Sequence, residues 1–333
     1  MKFSVRLNND LPPERFARLA ALAEDSGFEQ IWVSNDLFLQ SATVLVAAAA
    51  RETHRIHLGV GVFNPVSMHT AEIAMVAASL SELARGRFDL GIGAGADRFL
   101  RWAGLDPPRP LPRTRTAMRE LTDLFDGRLP PGFSHPARLW TAPIQVPIYV
   151  GAMGTRMLEL AGELADGALP LLFPPEHFPT ARRHIAAGAE RAGRDVSSLD
   201  IAACVWCSIA NDPAAARRAM AEKMAYYGAS FASELLERAS ISAQDFAEIE
   251  KALTAGRPDR ATELVTPAML RLGIVGDAEE VLARCAWLVK EGAEHISFGP
   301  PLGPDPERAV MTLGKEVLPI LRRSGQRRSP AGS

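Results

Sequence analysis

Short apolar runs and stretches of helical spacing follow one another along the whole chain. An apolar run of roughly four to eight residues between turn signals reads as a buried strand. Apolar positions recurring every three or four residues read as a helix with one buried face. The plainest instance is Ile56–Asp97, which runs IHLGVGVFNP, then VSMHTAEIAMVAASLSELARG, then RFDLGIGAGAD. This is strand, amphipathic helix and strand, with a glycine-rich turn closing each strand. Parallel strands need such a crossover, so the segment is one βαβ unit.

The same alternation extends in both directions. Phe3–Leu7 and Gln30–Val33 read as strands, the second ending in Ser34-Asn35-Asp36, and Ser41–Arg51 as an Ala-rich helix. Between the strands, Glu14–Ser26 has helical spacing and Gly27 stops it. Downstream, Val146–Val150, Gly167–Leu172, Ile201–Ile209 and His295–Phe298 read as strands. Helices are predicted at Thr114–Phe125, Thr155–Leu164, Pro175–Ala192, Asp277–Glu291 and Pro306–Arg322. About eight alternations with no break in composition imply a parallel α/β sheet, and eight units in one chain favour a closed (β/α)8 TIM barrel. Helices within Pro213–Ala255 form an insertion between strands seven and eight. The Pro- and Arg-rich segment Leu105–Thr141 ends in the loop Gly127–Thr141, long enough to be a lid or a binding loop. Residues 1–323 are expected to form one domain and residues 324–333 a disordered polar tail.

Composition narrows the function classes. The chain has 333 residues, 47% of them hydrophobic, and a net charge of −2. Such a balance gives no long-range attraction to nucleic acid or an anionic membrane. No run approaches the roughly 18 apolar residues of a membrane span. Met1-Lys2 leads straight into a strand without a signal-peptide core, so a cytoplasmic protein is expected. Cys204 and Cys207 form a CxxC, but in a strand the two thiols point to opposite faces and cannot share a metal. The histidines show no metal-ligand spacing, so no metal is expected. Neither a GxSxG elbow nor a P-loop occurs.

Barrel active sites lie at the C-terminal strand ends, which directs attention to four turns. Strand three ends Gly59-Val60-Gly61-Val62-Phe63-Asn64-Pro65, either a bulge that uses glycine to relieve crowding or a platform for a ligand. Strand four ends Gly91-Ile92-Gly93-Ala94-Gly95-Ala96-Asp97. Its Gly91-x-Gly93-x-x-Ala96 satisfies the dinucleotide fingerprint, which also requires an acid about 20 residues on. Leu111–Ala117 supplies none, so the nucleotide-sheet reading is the weaker one. Strand five leads through Gly151-Ala152-Met153-Gly154-Thr155 into a helix whose free N–H groups can hold an anion; an ordinary strand-to-helix turn would look the same. After strand two, Asp36 is the carboxylate best placed at a barrel mouth, as a general acid or as a helix N-terminal acid. His69 starts a helix and reads as structural.

LGVGVFNP followed by RFDLGIGAGAD resembles the luciferase-like monooxygenase superfamily, and within it the F420-dependent branch of methylenetetrahydromethanopterin reductases. PIYVGAMGTRMLELAGELADGAL at Pro147–Leu169 and ISFGPPLGPDPERAV at Ile296–Val310 extend the match over nearly the whole chain. The resemblance implies an F420-dependent oxidoreductase that passes a hydride between the deazaflavin and a small organic substrate. An FMN-dependent monooxygenase, or a non-catalytic flavin binder, would share the barrel. It implies a non-proline cis peptide at Gly61–Val62 in a bulge under the deazaflavin, flanked by Asn64. It further implies Gly93, Ala94 and Gly95 beneath the centre of the cofactor, and Gly151, Ala152, Met153, Gly154 and Thr155 at its phosphate. Ser34 and Asp36 would border the ring, with Asp36 and Asp97 as the candidate catalytic acids. Some relatives carry a histidine where Leu37 stands, so a histidine acid–base mechanism is not expected. A homodimer through the helices beside strands two and three is also implied, which the Ala-rich run Ala42–Ala50 would suit.

Overall fold

The computed structural model describes residues 1–326 other than 96, 107, 108, 229, 230 and 232. Eight parallel strands close into a barrel. They are β1 (Lys2–Leu7), β2 (Gln30–Val33), β3 (His57–Phe63), β4 (Phe88–Ile92), β5 (Ile148–Ala152), β6 (Gly167–Pro170), β7 (Asp200–Ile209) and, completing the ring, β9 (His295–Leu302). A short extra strand, β8 (Ile274–Gly276), pairs with the end of β7 through Cys207, Ser208 and Ile209. Neighbours run in sequence order from β1 to β6, β6 pairs with β7, β7 with β9, and β9 returns to β1. Closure leaves the eight ring strands paired on both sides, whereas an open nucleotide-binding sheet would keep two free edges. That settles the strand-four fingerprint against a Rossmann sheet; its Ala96 lies outside the described residues.

Side chains alternate between two environments along each strand. On β1, Phe3, Val5 and Leu7 join the main core between strands and helices. On the opposite face, Trp32, Tyr149, Leu169, Ala202 and Cys204 fill the barrel interior. Cys204 therefore points inward, whereas Cys207 and Cys285 lie in the outer core, and all three thiols are free and buried. The floor of the barrel is polar. Ser4, Gln30, Asp89, His295 and Ser297 are buried there and hydrogen-bond to one another or to Tyr149 and Asp200.

Several elements depart from the pattern read along the chain. Helix Pro110–Phe125 begins four residues before the predicted Thr114, with proline in its first turn where the missing N–H costs nothing. A short helix, Asp97–Trp102, follows β4. The last helix is broken by a π turn at Leu313–Val317 and then continues to Gln326, so residues 324–326 are helical rather than tail. Residues 327–333 of the expected tail lie outside the described residues. The insertion after β7 is built on the 15-residue helix Pro213–Tyr227, and it packs a second apolar cluster of its own. β8 was not legible because three residues are too short to show a period.

Candidate active site

The four turns predicted to carry chemistry all lie at the C-terminal ends of the strands. Their order around the mouth follows the ring, from Asp36 after β2 to the turn after β5. Each is held by the chain itself before any ligand is considered.

The β3 end bulges: the register against β4 shifts between Val60 and Phe63, and the Gly61–Val62 peptide is cis. The bulge carries the Val62 side chain across towards β4 and β5. A Cβ added at Gly151 would lie 2.9 Å from Val62 Cγ1, one at Gly93 3.0 Å from Val62 Cγ2, and one at Gly91 3.2 Å from Val62 Cγ1. Val62 thus occupies the space left by Gly93 and Gly151, whereas at Gly91 the nearest atom to a Cβ is Val60 O, at 2.3 Å. Behind it, Gly59 makes room for the Trp32 ring, which a Cβ would strike. The glycines bring the bulge, not a ligand, into close approach; a ligand would meet the bulge's half-buried upper surface.

Asn64 straps the β3 and β4 turns together. Its amide donates to Ala94 O, and its carbonyl oxygen accepts from Val66 N at 2.8 Å. Gly95 then turns with φ +62°, a left-handed conformation that suits glycine. Asp97 points elsewhere. It is exposed in the first turn of helix Asp97–Trp102 and pairs with Arg101 at 3.3 Å. The structure does not bring it into the group that surrounds Asp36.

After β5, Gly151 is half-buried and Ala152 buried, while Met153 packs against the insertion cluster. Gly154, Thr155 and Arg156 are exposed at the start of helix Thr155–Leu164, whose N-terminus has no side-chain cap. Its free first-turn N–H groups face a region where an anion would complement them.

Asp36 is held from below. Buried Asn9, at the end of β1, donates from Nδ2 to Asp36 O at 2.9 Å and to Gln40 O at 2.7 Å. Its Oδ1 accepts from Ser34 Oγ at 2.8 Å and from Asp36 N at 3.2 Å. Ser34 thus serves this bracket and, through its hydroxyl, the Asp36 carboxylate. Burial pushes the Asp36 carboxyl above the ordinary carboxylate range, against the opposing pull of Lys223 and Arg98. Such a carboxyl keeps its proton to higher pH than an ordinary carboxylate, which suits it to act as a proton donor.

The residues facing Asp36 were not singled out in the sequence. Lys223, on helix Pro213–Tyr227, donates to Asn8 Oδ1 at 3.3 Å and lies 4.0 Å from the centre of the Tyr227 ring. Burial lowers its ammonium to about 8, with Asp10 and Asp36 opposing. Burial raises the Tyr227 phenol to about 12, and Asp36 adds to the effect. Arg98 lies among the rings of Phe99, Trp102, Tyr226 and Tyr227. No local motif marks these residues. Their one signal is a lysine and a tyrosine four apart on a helix of an insertion that returns over the mouth. His69 caps its own helix, its Nδ1 accepting from Ala71 N at 3.2 Å, as a structural residue would.

A depression of about 1060 Å³ opens at the other end of the barrel, between Lys2, Glu29, His57, Asp200 and Arg322. Barrel chemistry belongs to the C-terminal ends, and these residues already bond to one another or to the floor. No group of three or more metal-ligating side chains gathers among the described residues.

Fold and mouth together define a parallel α/β barrel with its candidate residues gathered at the C-terminal face. Residues 1–295 match the family described as luciferase-like monooxygenase, and the chain belongs to that family. It is 32% identical over 335 residues to a 5,10-methylenetetrahydromethanopterin reductase of Archaeoglobus fulgidus, covering 97% of this chain and all of the relative. A second such reductase, from Methanolobus tindarius, is 32% identical over 325 residues, covering 96% of this chain and all of the relative. The solved structure of the coenzyme F420 dependent tetrahydromethanopterin reductase from Methanopyrus kandleri superposes with a TM-score of 0.87 at 29% identity, covering 96% of this chain and 99% of the other.

Proposed function

We propose that this chain is an F420-dependent oxidoreductase acting on a small organic substrate. The observation that carries the reading is one barrel mouth that joins the Val62 platform to the half-buried carboxyl of Asp36, in a chain aligned end to end with reductases of this kind. The residues present suit the cofactor. The bulge offers an apolar surface to a flat ring, and the exposed, uncapped turn Gly154-Thr155-Arg156 offers N–H groups and a guanidinium to a phosphate. When bound, F420 supplies the redox chemistry by exchanging a hydride with the substrate.

The chain supplies position and a proton. Gly61 and Val62 support one face of the ring, while Asn64, Ala94 and Gly95 fix the two turns that carry it. Gly93, Gly151 and Ala152 back the platform, and Met153 joins it to the insertion. Asp36, raised by burial and oriented by Asn9 and Ser34, holds a proton at its carboxyl oxygen for substrates that need one. Asp97, exposed and paired with Arg101, keeps at most a peripheral role.

The same reading includes a cytoplasmic homodimer. It is supported by helix Ala42–Glu52, which leaves Val44 exposed beside small alanines, and by the absence among the described residues of any helix able to cross a membrane. A monomeric mass by light scattering would refute the dimer. The enzyme reading is tested by mixing the protein with reduced F420 and a panel of carbonyl and imine acceptors, following the visible absorbance of the oxidised deazaflavin. Acceptor-dependent oxidation is expected. Oxidation that needs only oxygen would point to the monooxygenase chemistry of other family members.

A further inference from the structure

The insertion after β7 adds Lys223, Tyr227 and Phe231 to the charge and aromatic rings that the barrel strands bring to the mouth. Lys223 and Tyr227 are four residues apart on helix Pro213–Tyr227, so one face of that helix presents both. Lys223 Nζ lies 5.3 Å from the centre of the Trp206 ring and gives one hydrogen bond, to Asn8. Among the described residues it forms no ion pair. An ammonium carries three donors, so two are left without a protein partner there. From β1, Arg6 donates from Nη2 to Val205 O at 3.1 Å, while its buried Nε has no partner. Arg98 brings a third cation, 4.9 Å from the Tyr227 ring.

Against these three cations stand two carboxylates, Asp10 and Asp36. The mouth therefore holds an excess of positive charge in a partly desolvated setting, where a charge is felt strongly. Its wall is aromatic, with the rings meeting edge-on or tilted around buried Trp206. Trp206 lies 4.9 Å from Phe173, 5.3 Å from Phe231 and 6.0 Å from Tyr227, ring centre to ring centre. A cationic acceptor, such as an iminium, would meet repulsion here. An anion that carries an aromatic ring would meet both complementary charge and aromatic side chains.

We propose that the substrate is an aromatic organic acid whose carboxylate is received by Lys223, with Arg98 and Arg6 adding to the field, and whose ring packs beside the half-buried Tyr227 and Phe231. The assignment deepens the oxidoreductase reading and rests on it only for placing the substrate beside the cofactor. Lys223 is the specificity-determining residue, because it stands on a helix of the insertion, foreign to the barrel, with two ammonium donors unengaged among the described residues.

The test uses the full chain and three probes of one shape: cinnamate, cinnamyl alcohol and benzamidinium. Each is titrated by calorimetry and tryptophan fluorescence, with F420 binding measured separately. Cinnamate is expected to bind most tightly and benzamidinium least. Lys223→Met should weaken cinnamate about tenfold or more, as loss of a charge-assisted hydrogen bond does, with little change for cinnamyl alcohol. Lys223→Arg should retain most of the preference. Equal affinity of the wild-type protein for cinnamate and cinnamyl alcohol would overturn the proposal, as would an unchanged affinity in Lys223→Met. Failure to bind F420 would instead strike the oxidoreductase reading, and the ranking of the probes would still judge this one.

Discussion

Asp36 owes its chemistry to a neighbour with no charge. Asn9 uses its carbonyl oxygen and its amide to hold Ser34, the Asp36 backbone and Gln40, so the carboxyl is pinned at the mouth rather than left to swing in water. Asp36→Asn should leave F420 affinity within about twofold and lower turnover of a carbonyl acceptor by about a hundredfold, the usual loss when a positioned acid is removed. In the wild type, reduction should weaken as pH rises through the raised Asp36 value, because only the protonated form donates. A pH–rate profile that is unchanged in the variant would contradict this role. Asp36 was legible because it ends a strand predicted at its observed bounds, Gln30–Val33. Asn9 was visible only as a polar residue after β1. Lys223, Tyr227 and Arg98 were hidden altogether, since their meeting depends on where an insertion folds back.

At the scale of elements, the glycines of β3, β4 and β5 show where sequence reading stops. Their pattern correctly marks close approach, but a sequence does not say what approaches. The structure names Val62 for Gly93 and Gly151, the Val60 carbonyl for Gly91, and Trp32 for Gly59. Gly151→Val should therefore displace the platform and lower F420 affinity. An unchanged affinity would separate the platform from the cofactor. Glycine also sets a helix contact away from the site. Gly162 on helix Thr155–Leu164 and Gly188 on helix Phe178–Arg191 pack so closely that a Cβ on either would strike the other helix's backbone, at Ile185 O and Glu159 O. Gly162→Ala should cost about 1–3 kcal/mol of stability through overpacking, measured by urea unfolding, despite alanine's better helix propensity. Long elements with a clear period were read to within a few residues. Those that tertiary contacts decide, β8 and the Asp97–Trp102 helix, were not.

For the whole molecule, the two ends of the barrel divide the work. The mouth carries the candidate chemistry, while the floor is a hydrogen-bonded layer that supports the closed ring. Asp200 accepts from Lys2 Nζ at 2.7 Å and Tyr149 Oη at 2.8 Å, and its Oδ1 lies 2.8 Å from His295 Nδ1. Burial alone would raise its carboxyl, but His295 and Lys2 outweigh burial and hold it well below the usual range. A carboxylate lowered on folding contributes stability that is complete above its unfolded value, about 3.9, and is lost as pH falls through the folded one. Asp200→Ala should therefore be less stable by about 2–4 kcal/mol at pH 7, with a smaller further loss on going to pH 3 than the wild type shows. Equal pH slopes in urea unfolding would refute this. The closed eightfold alternation was legible from the chain because periodicity survives in any packing. The polar floor was not, since it joins residues nearly 300 positions apart, such as Ser4 and Ser297. The central claim, a mouth built for a deazaflavin, is met most directly by titrating the purified protein with F420 and with FMN in parallel. The account predicts saturable F420 binding with FMN at least tenfold weaker. Tighter binding of FMN, or of neither, would contradict it.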